Sequence, residues 1–175
     1  PTKKVEDYKY TNLEKTLLDD FVIANPSKEQ NIESFLKDLP TSYVAVFLNG
    51  IYAESHSKLP DGLILKESTI SQEATDPMEA ITLAAGPKSY EIEVGANKAI
   101  EPICLVHIHV DDQETTSLPN LRITAGTSSE SSFLELFFSQ GSNKSQSLAR
   151  TEILLDKNAK LNHHKAVLTE LPHLH

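Results

Sequence analysis

The feature that most restricts what this chain can become is a repeat. Set one under another, "YEIEVGANKAIEPICLVHIHV", "NLRITAGTSSESSFLELFFS" and "RTEILLDKNAKLNHHKAVLTE" share the pattern strand, turn, strand. Ile92, Ile123 and Ile153 fall 31 and 30 residues apart, and each is followed by a turn-rich stretch: Gly95-Ala-Asn, Gly126-Thr-Ser or Asp156-Lys-Asn. Beyond the turn the spacing is 30 throughout, aligning Cys104 with Leu134 and His164, Val106 with Leu136 and Ala166, and Ile108 with Phe138 and Leu168. A unit this short cannot bury its own apolar face, so repeats stack and equivalent side chains pile into ladders. The periodicity favours a mainly β chain of stacked parallel strands. A meander of hairpins in a β-sandwich also gives short strands at fairly even spacing, and is the other architecture that this pattern admits.

The residues before the repeat read differently. Thr11 and Glu14 have the spacing of a capping box, and Leu13, Leu17, Leu18 and Phe21 follow as one apolar stripe. Ser27 and Gln30 repeat the cap, and Ile32, Phe35, Leu36 and Leu39 form a second stripe that ends at Pro40. Residues 1–42 are thus expected to be a helical segment and 43–175 a β domain. Within the latter, "YVAVFLNGIYAE" places Asn49-Gly50 at a tight hairpin turn, and "LPDGLILKES" gives a second turn and strand. "DPMEAITLAAG" is the one later helix, with Asp76 as cap and Pro77 at its first position.

Sixteen basic against twenty-five acidic side chains leave a formal charge of -9, and no basic run is long enough to follow a phosphate backbone. Nucleic acid is not an expected partner. Cys104 is the only cysteine, so no internal disulfide can form, which fits a reducing compartment and a cytoplasmic location. No segment approaches eighteen consecutive apolar residues, and "PTKKVEDYKY" lacks the apolar core of a secretion signal. The start at Pro1 suggests a piece of a longer protein.

Chemistry concentrates in "ICLVHIHVDDQE", where one cysteine, two histidines and three carboxylates share twelve positions. His107 and His109 lie on one side of a strand and are the candidates for a metal site. Cys104, Val106, Ile108 and Val110 lie on the other, uniformly apolar side, which makes Cys104 a buried hydrophobe and places the histidines on the outer, solvated face. Of a cupin-type site only His107, His109 and Glu114 are present; Glu101 and Leu121 stand where glycines belong. By the same register His164 is expected inside and His163 outside. Asp111, Asp112 and Glu114 read as a solvated connector, "TAGTSSESS" as a polar turn, and His173 and His175 as ordinary strand residues. No phosphate-binding loop, nucleophile elbow or His-Glu-x-x-His motif occurs, so no catalytic residue is assigned.

One further set of residues carries a family resemblance. "EDYKYTNL", residues 6–13, closely resembles the Glu-Asp-Trp-Lys-Tyr-Thr-x-Leu segment near the start of SufD, in the SufB/SufD family of iron-sulfur cluster assembly proteins. "VAVFLNGIY", "LPDGLIL", "YEIEVGANKAIEPICLVHI" and "AKLNHHKAVLTE" follow in that family's order, with Tyr8 where Trp is common and Val167 where Gln is common. The resemblance implies the first part of a right-handed parallel β-helix behind an N-terminal α-helical segment. It implies a non-enzymatic scaffold for the SUF system, paired with a SufB-like paralogue and a SufC-like ATPase in a SufBCD-type complex. In that setting the cluster under assembly and the ATP on SufC belong to the complex, and no cofactor is expected on this fragment. Self-association through its open end is a further expectation. The alternative from another class is a cupin-like or β-solenoid metalloenzyme using His107 and His109.

Overall fold

The computed structural model describes residues 22–24, 32–69, 74, 77–86, 88–110, 115–140 and 145–168. Its early strands are β1 (Val22–Ile23), β2 (Val44–Leu48), β3 (Ile51–Tyr52) and β4 (Leu63–Ser68). The repeats supply β5 (Ser89–Val94), β6 (Ile103–Val110), β7 (Thr115–Ser117), β8 (Asn120–Ala125), β9 (Glu130–Gln140), β10 (Ser145–Ser147), β11 (Arg150–Leu155) and β12 (Lys160–Leu168). Two α-helices are described, α1 (Glu33–Leu36) and α2 (Pro77–Ala85).

The protein is mainly β, with parallel and mixed sheets. Three sheets form, ordered β1-β7-β10, β11-β8-β5-β4 and β12-β9-β6-β2-β3. From β5 onward the chain visits the four-, five- and three-stranded sheets in turn, then begins the circuit again. Each new strand lies parallel to its counterpart from the circuit before. The aligned isoleucines are neighbours in the four-stranded sheet, Ile92 beside Ile123 and Ile123 beside Ile153. Cys104, Leu134 and His164 are likewise in register across β6, β9 and β12. The antiparallel pairs are β2 with β3 and β4 with β5.

Turn chemistry sets where each circuit bends. Asn49 and Gly50 both take positive φ, 51° and 85°, as the two-residue hairpin between β2 and β3 requires. The Asn49 side chain then continues the β2–β6 pairing: its Nδ2 donates to the Val110 carbonyl at 2.9 Å and its Oδ1 accepts from the Val110 amide at 2.7 Å. At the corner leading into the five-stranded sheet, Asn97, Ser128 and Asn158 repeat one left-handed conformation, with φ of 58°, 56° and 59°. These corners stack on one another, the Asn97 amide donating to Thr127 O and the Ser128 amide to Lys157 O. Gly126 is packed so closely here that a Cβ would sit 2.8 Å from the Ala96 nitrogen.

Among the described residues of the expected helical segment 1–42, α-helix is confined to Glu33–Leu36. Val22 and Ile23 are extended instead and pair in parallel with Thr115 and Thr116 of β7. Backbone groups on an open sheet edge offered this stretch hydrogen bonds that its local apolar spacing could not reveal. The capping-box residues Thr11 and Glu14, the stripe from Leu13 to Phe21, Ser27, Gln30 and the segment 6–13 lie outside the described residues. So do Asp76, Asp111, Asp112, Glu114, His173 and His175.

At β6 the five-stranded sheet is buried on both faces, all eight of the strand's side chains being buried. One face, with Ile103, Leu105 and Phe133, packs on Ile92, Leu121 and Ile123 of the four-stranded sheet. The other, with Cys104, Val106, Ile108, Leu136 and Phe138, packs on Ile32 and on Phe35 of α1. This corrects the expected orientation. Cys104 is buried, yet it belongs to the layer beneath α1, while the face carrying His107 and His109 looks inward between the sheets. Period-two alternation tells which residues share a face; with apolar residues on both, it does not tell which face turns in.

Candidate functional site

Two ladders on the inward face of the five-stranded sheet turn from apolar in β6 to polar in β12, and a third runs the other way. Ile103, Phe133 and His163 are in register, as are Leu105, Glu135 and Lys165, and His107, Phe137 and Val167. Glu135 is at the centre and is fully buried. An ionised carboxylate in such a place needs donors on both oxygens. His107 Nε2 lies 3.0 Å from Oε1, His163 Nε2 lies 2.9 Å from Oε2, and the Thr151 hydroxyl, reaching across from β11, donates at 2.9 and 3.1 Å. Lys165 Nζ stands 3.8 Å from Oε2. Burial by itself would raise the Glu135 pKa; the His107 hydrogen bond, with Lys165 and Thr151, reverses this and holds it at about 2.

His107 is held as a neutral ring. Burial pushes its pKa below the usual imidazole value, against the pull of Glu135 and with the repulsion of Lys165. Because the carboxylate only accepts, Nε2 carries the proton and Nδ1 is the lone-pair nitrogen, buried without a hydrogen-bond partner among the described residues. The ring is clamped between Phe47, at 4.9 Å and 18°, and Phe137, at 4.5 Å and 11°. Lys165 Nζ caps the Phe137 ring 4.6 Å from its centroid. A column of rings from β2 through β6 to β9 thus ends under an ammonium group of β12.

His109 takes a separate partner, its Nε2 lying 2.7 Å from Thr115 Oγ1 in β7. The two candidate ligands are therefore buried, not solvated as their sequence suggested, and their Nε2 atoms are committed to Glu135 and Thr115. Among the described residues no group of three or more His, Cys, Asp or Glu side chains is arranged to hold a metal ion. The other histidine pair is also reversed from expectation: His163 faces inward to Glu135, while His164 is exposed. Cys104 is a free, buried thiol, its pKa pushed up by desolvation.

A cavity of about 320 Å³ adjoins the ring column, bordered by His107, His109, Phe137, Lys165 and Val167. The cluster beside it is chemically closed, since both Glu135 oxygens already accept donors from three strands and, among the described residues, no nucleophile is hydrogen-bonded to His107. Its chemistry is to tie β6, β9, β11 and β12 together. Sequence inspection passed over Glu135, although the signal was present: a lone carboxylate inside "SSFLELFFS", with a lysine one repeat later. No protein-family model matches the chain, and the search of curated proteins returned no match.

Proposed function

We propose that this chain is a non-enzymatic scaffold of the SufB/SufD kind, the early part of a right-handed parallel β-helix that serves iron-sulfur cluster assembly in the cytoplasm. The observation that carries the reading is the in-register stacking of strands at 30-residue intervals, Cys104 on Leu134 on His164, around three sheets. Parallel strands joined by successive crossovers wind right-handed in nearly all known cases. A stack of this type offers extended edges and flat flanks to partner subunits, and the later segments resembling the SufB/SufD family, from Val44 onward, follow one another through the described strands in that family's order. The closed state of the Glu135 cluster speaks for a structural part over a catalytic one. A metal centre at His107 and His109 would have to break the Glu135 and Thr115 contacts to free the Nε2 atoms, which ranks the metalloenzyme second.

Co-purification tests the reading. The natural full-length protein, expressed with SufB-like and SufC-like subunits from the same source, is expected to emerge as one complex. Absence of association, or stoichiometric transition metal that disappears in His107→Ala and His109→Ala, would overturn it.

A further inference from the structure

We infer that the buried cluster around Glu135 fixes the order in which the strands stack. Register partners in β6, β9 and β12 are 30 residues apart throughout, so displacing one strand by a whole repeat preserves parity and keeps like faces together. On the face beneath α1 such an error costs little: Val106, Leu136 and Ala166 are all apolar, as are Ile108, Phe138 and Leu168. The inward face is different. If β12 lay directly on β6, Lys165 would stand beside Leu105 and His163 beside Ile103, with no carboxylate for either. If the β9 strands of two molecules paired in register, Glu135 would meet a second Glu135. Only the order β6-β9-β12, with β11 opposite, gives Glu135 its imidazoles, its hydroxyl and its ammonium group together. Buried polar groups of this kind add little net stability over apolar replacements, and their best attested use is to select one register among near-equals.

The test separates order from stability. Ser132 and Asn162 are register partners on β9 and β12, and replacing both by cysteine, with Cys104→Ala, gives a reporter disulfide at the spacing of adjacent strands. In the otherwise unaltered protein this disulfide should form within one molecule. The combined variant His107→Phe, Glu135→Leu and His163→Leu replaces the cluster by apolar groups and leaves Lys165 free to reach solvent. It should fold with the same β-sheet circular dichroism and no lower a denaturation midpoint, while the in-register disulfide yield falls about threefold or more and intermolecular cross-links take up the difference. Glu135→Gln, which keeps the volume but leaves one acceptor oxygen for three donors, should shift the yield the same way by less. A combined variant that cross-links in register as well as the parent would overturn the inference. So would one that no longer folds, since the cluster would then supply stability and not order.

Discussion

Thr151 and Glu135 lie on different sheets, yet the Thr151 hydroxyl is 2.9 Å from one carboxylate oxygen of Glu135 and 3.1 Å from the other. It bridges the two sheets at the point where, among the described residues, a carboxylate is sealed between them. Removing the carboxylate alone should be severe, because His107 and His163 would lose their acceptor and Lys165 its counter-charge. Glu135→Ala is expected to cost about 3–5 kcal/mol, and Thr151→Val about 1–2 kcal/mol, both measurable by urea unfolding.

Acid should weaken the fold in two stages. His107 stays neutral in the folded protein with its pKa below 6.5, so below about 6.5 the unfolded chain binds a proton that the folded one refuses, and stability falls as pH drops. Glu135 stays ionised down to about 2 against 4.5 for the free group. Its contribution is complete above 4.5 and is lost between 4.5 and 2, at about 3 kcal/mol in all. Unfolding midpoints measured across pH should show the upper stage vanish in His107→Phe and the lower one in Glu135→Gln. A flat profile from pH 7 to 3 would contradict both.

Much of this architecture is legible in the sequence, and the reasons differ by element. The strand register follows from the repeat pattern, which is why Ile92, Ile123 and Ile153 could be aligned across spacings of 31 and 30 and are adjacent. Asn49-Gly50 announces its hairpin because few residues tolerate positive φ. The inward turn of His107 is not legible, since β6 alternates between two faces that are both buried. Nor is the hydroxyl of Thr151, whose partner depends on how two sheets are set against each other. Tertiary pairing, not local propensity, also decides that Val22 and Ile23 are extended.

Cys104 should behave as a sealed thiol. It is fully buried beside Ile32 and Phe35, with its pKa raised by desolvation. Labelling with a maleimide is expected to be slow in the native protein and fast in denaturant. Cys104→Ser should cost roughly 1–3 kcal/mol through its buried hydroxyl. His107→Ala, which empties the slot between Phe47 and Phe137, should cost about 3 kcal/mol. Fast native labelling would place the thiol on the surface.

The outermost strands should make the 175-residue chain self-associate. Among the described residues no strand pairs with the outer edges of β11 and β12, and Leu154, Leu155, Val167 and Leu168 are exposed there. Open edges bearing apolar side chains recruit other strands. Sedimentation velocity should show concentration-dependent association at micromolar protein, reduced by Val167→Lys. A monomer throughout would remove the expectation.

The even spacing of the circuits also has a mechanical meaning. Neighbouring circuits are held by hydrogen bonds directed along the stacking axis, from β9 to β12 as from β6 to β9. A load applied to β12 along that axis meets these bonds a few at a time and peels, whereas a load along the strands would have to shear a whole ladder at once. Each circuit released would add roughly 100 Å of contour, the length of about 30 extended residues. Pulled from that end, the molecule would lengthen in equal steps like a spring paying out coils, with the largest force at the step that withdraws Lys165, His163 and Thr151 from Glu135.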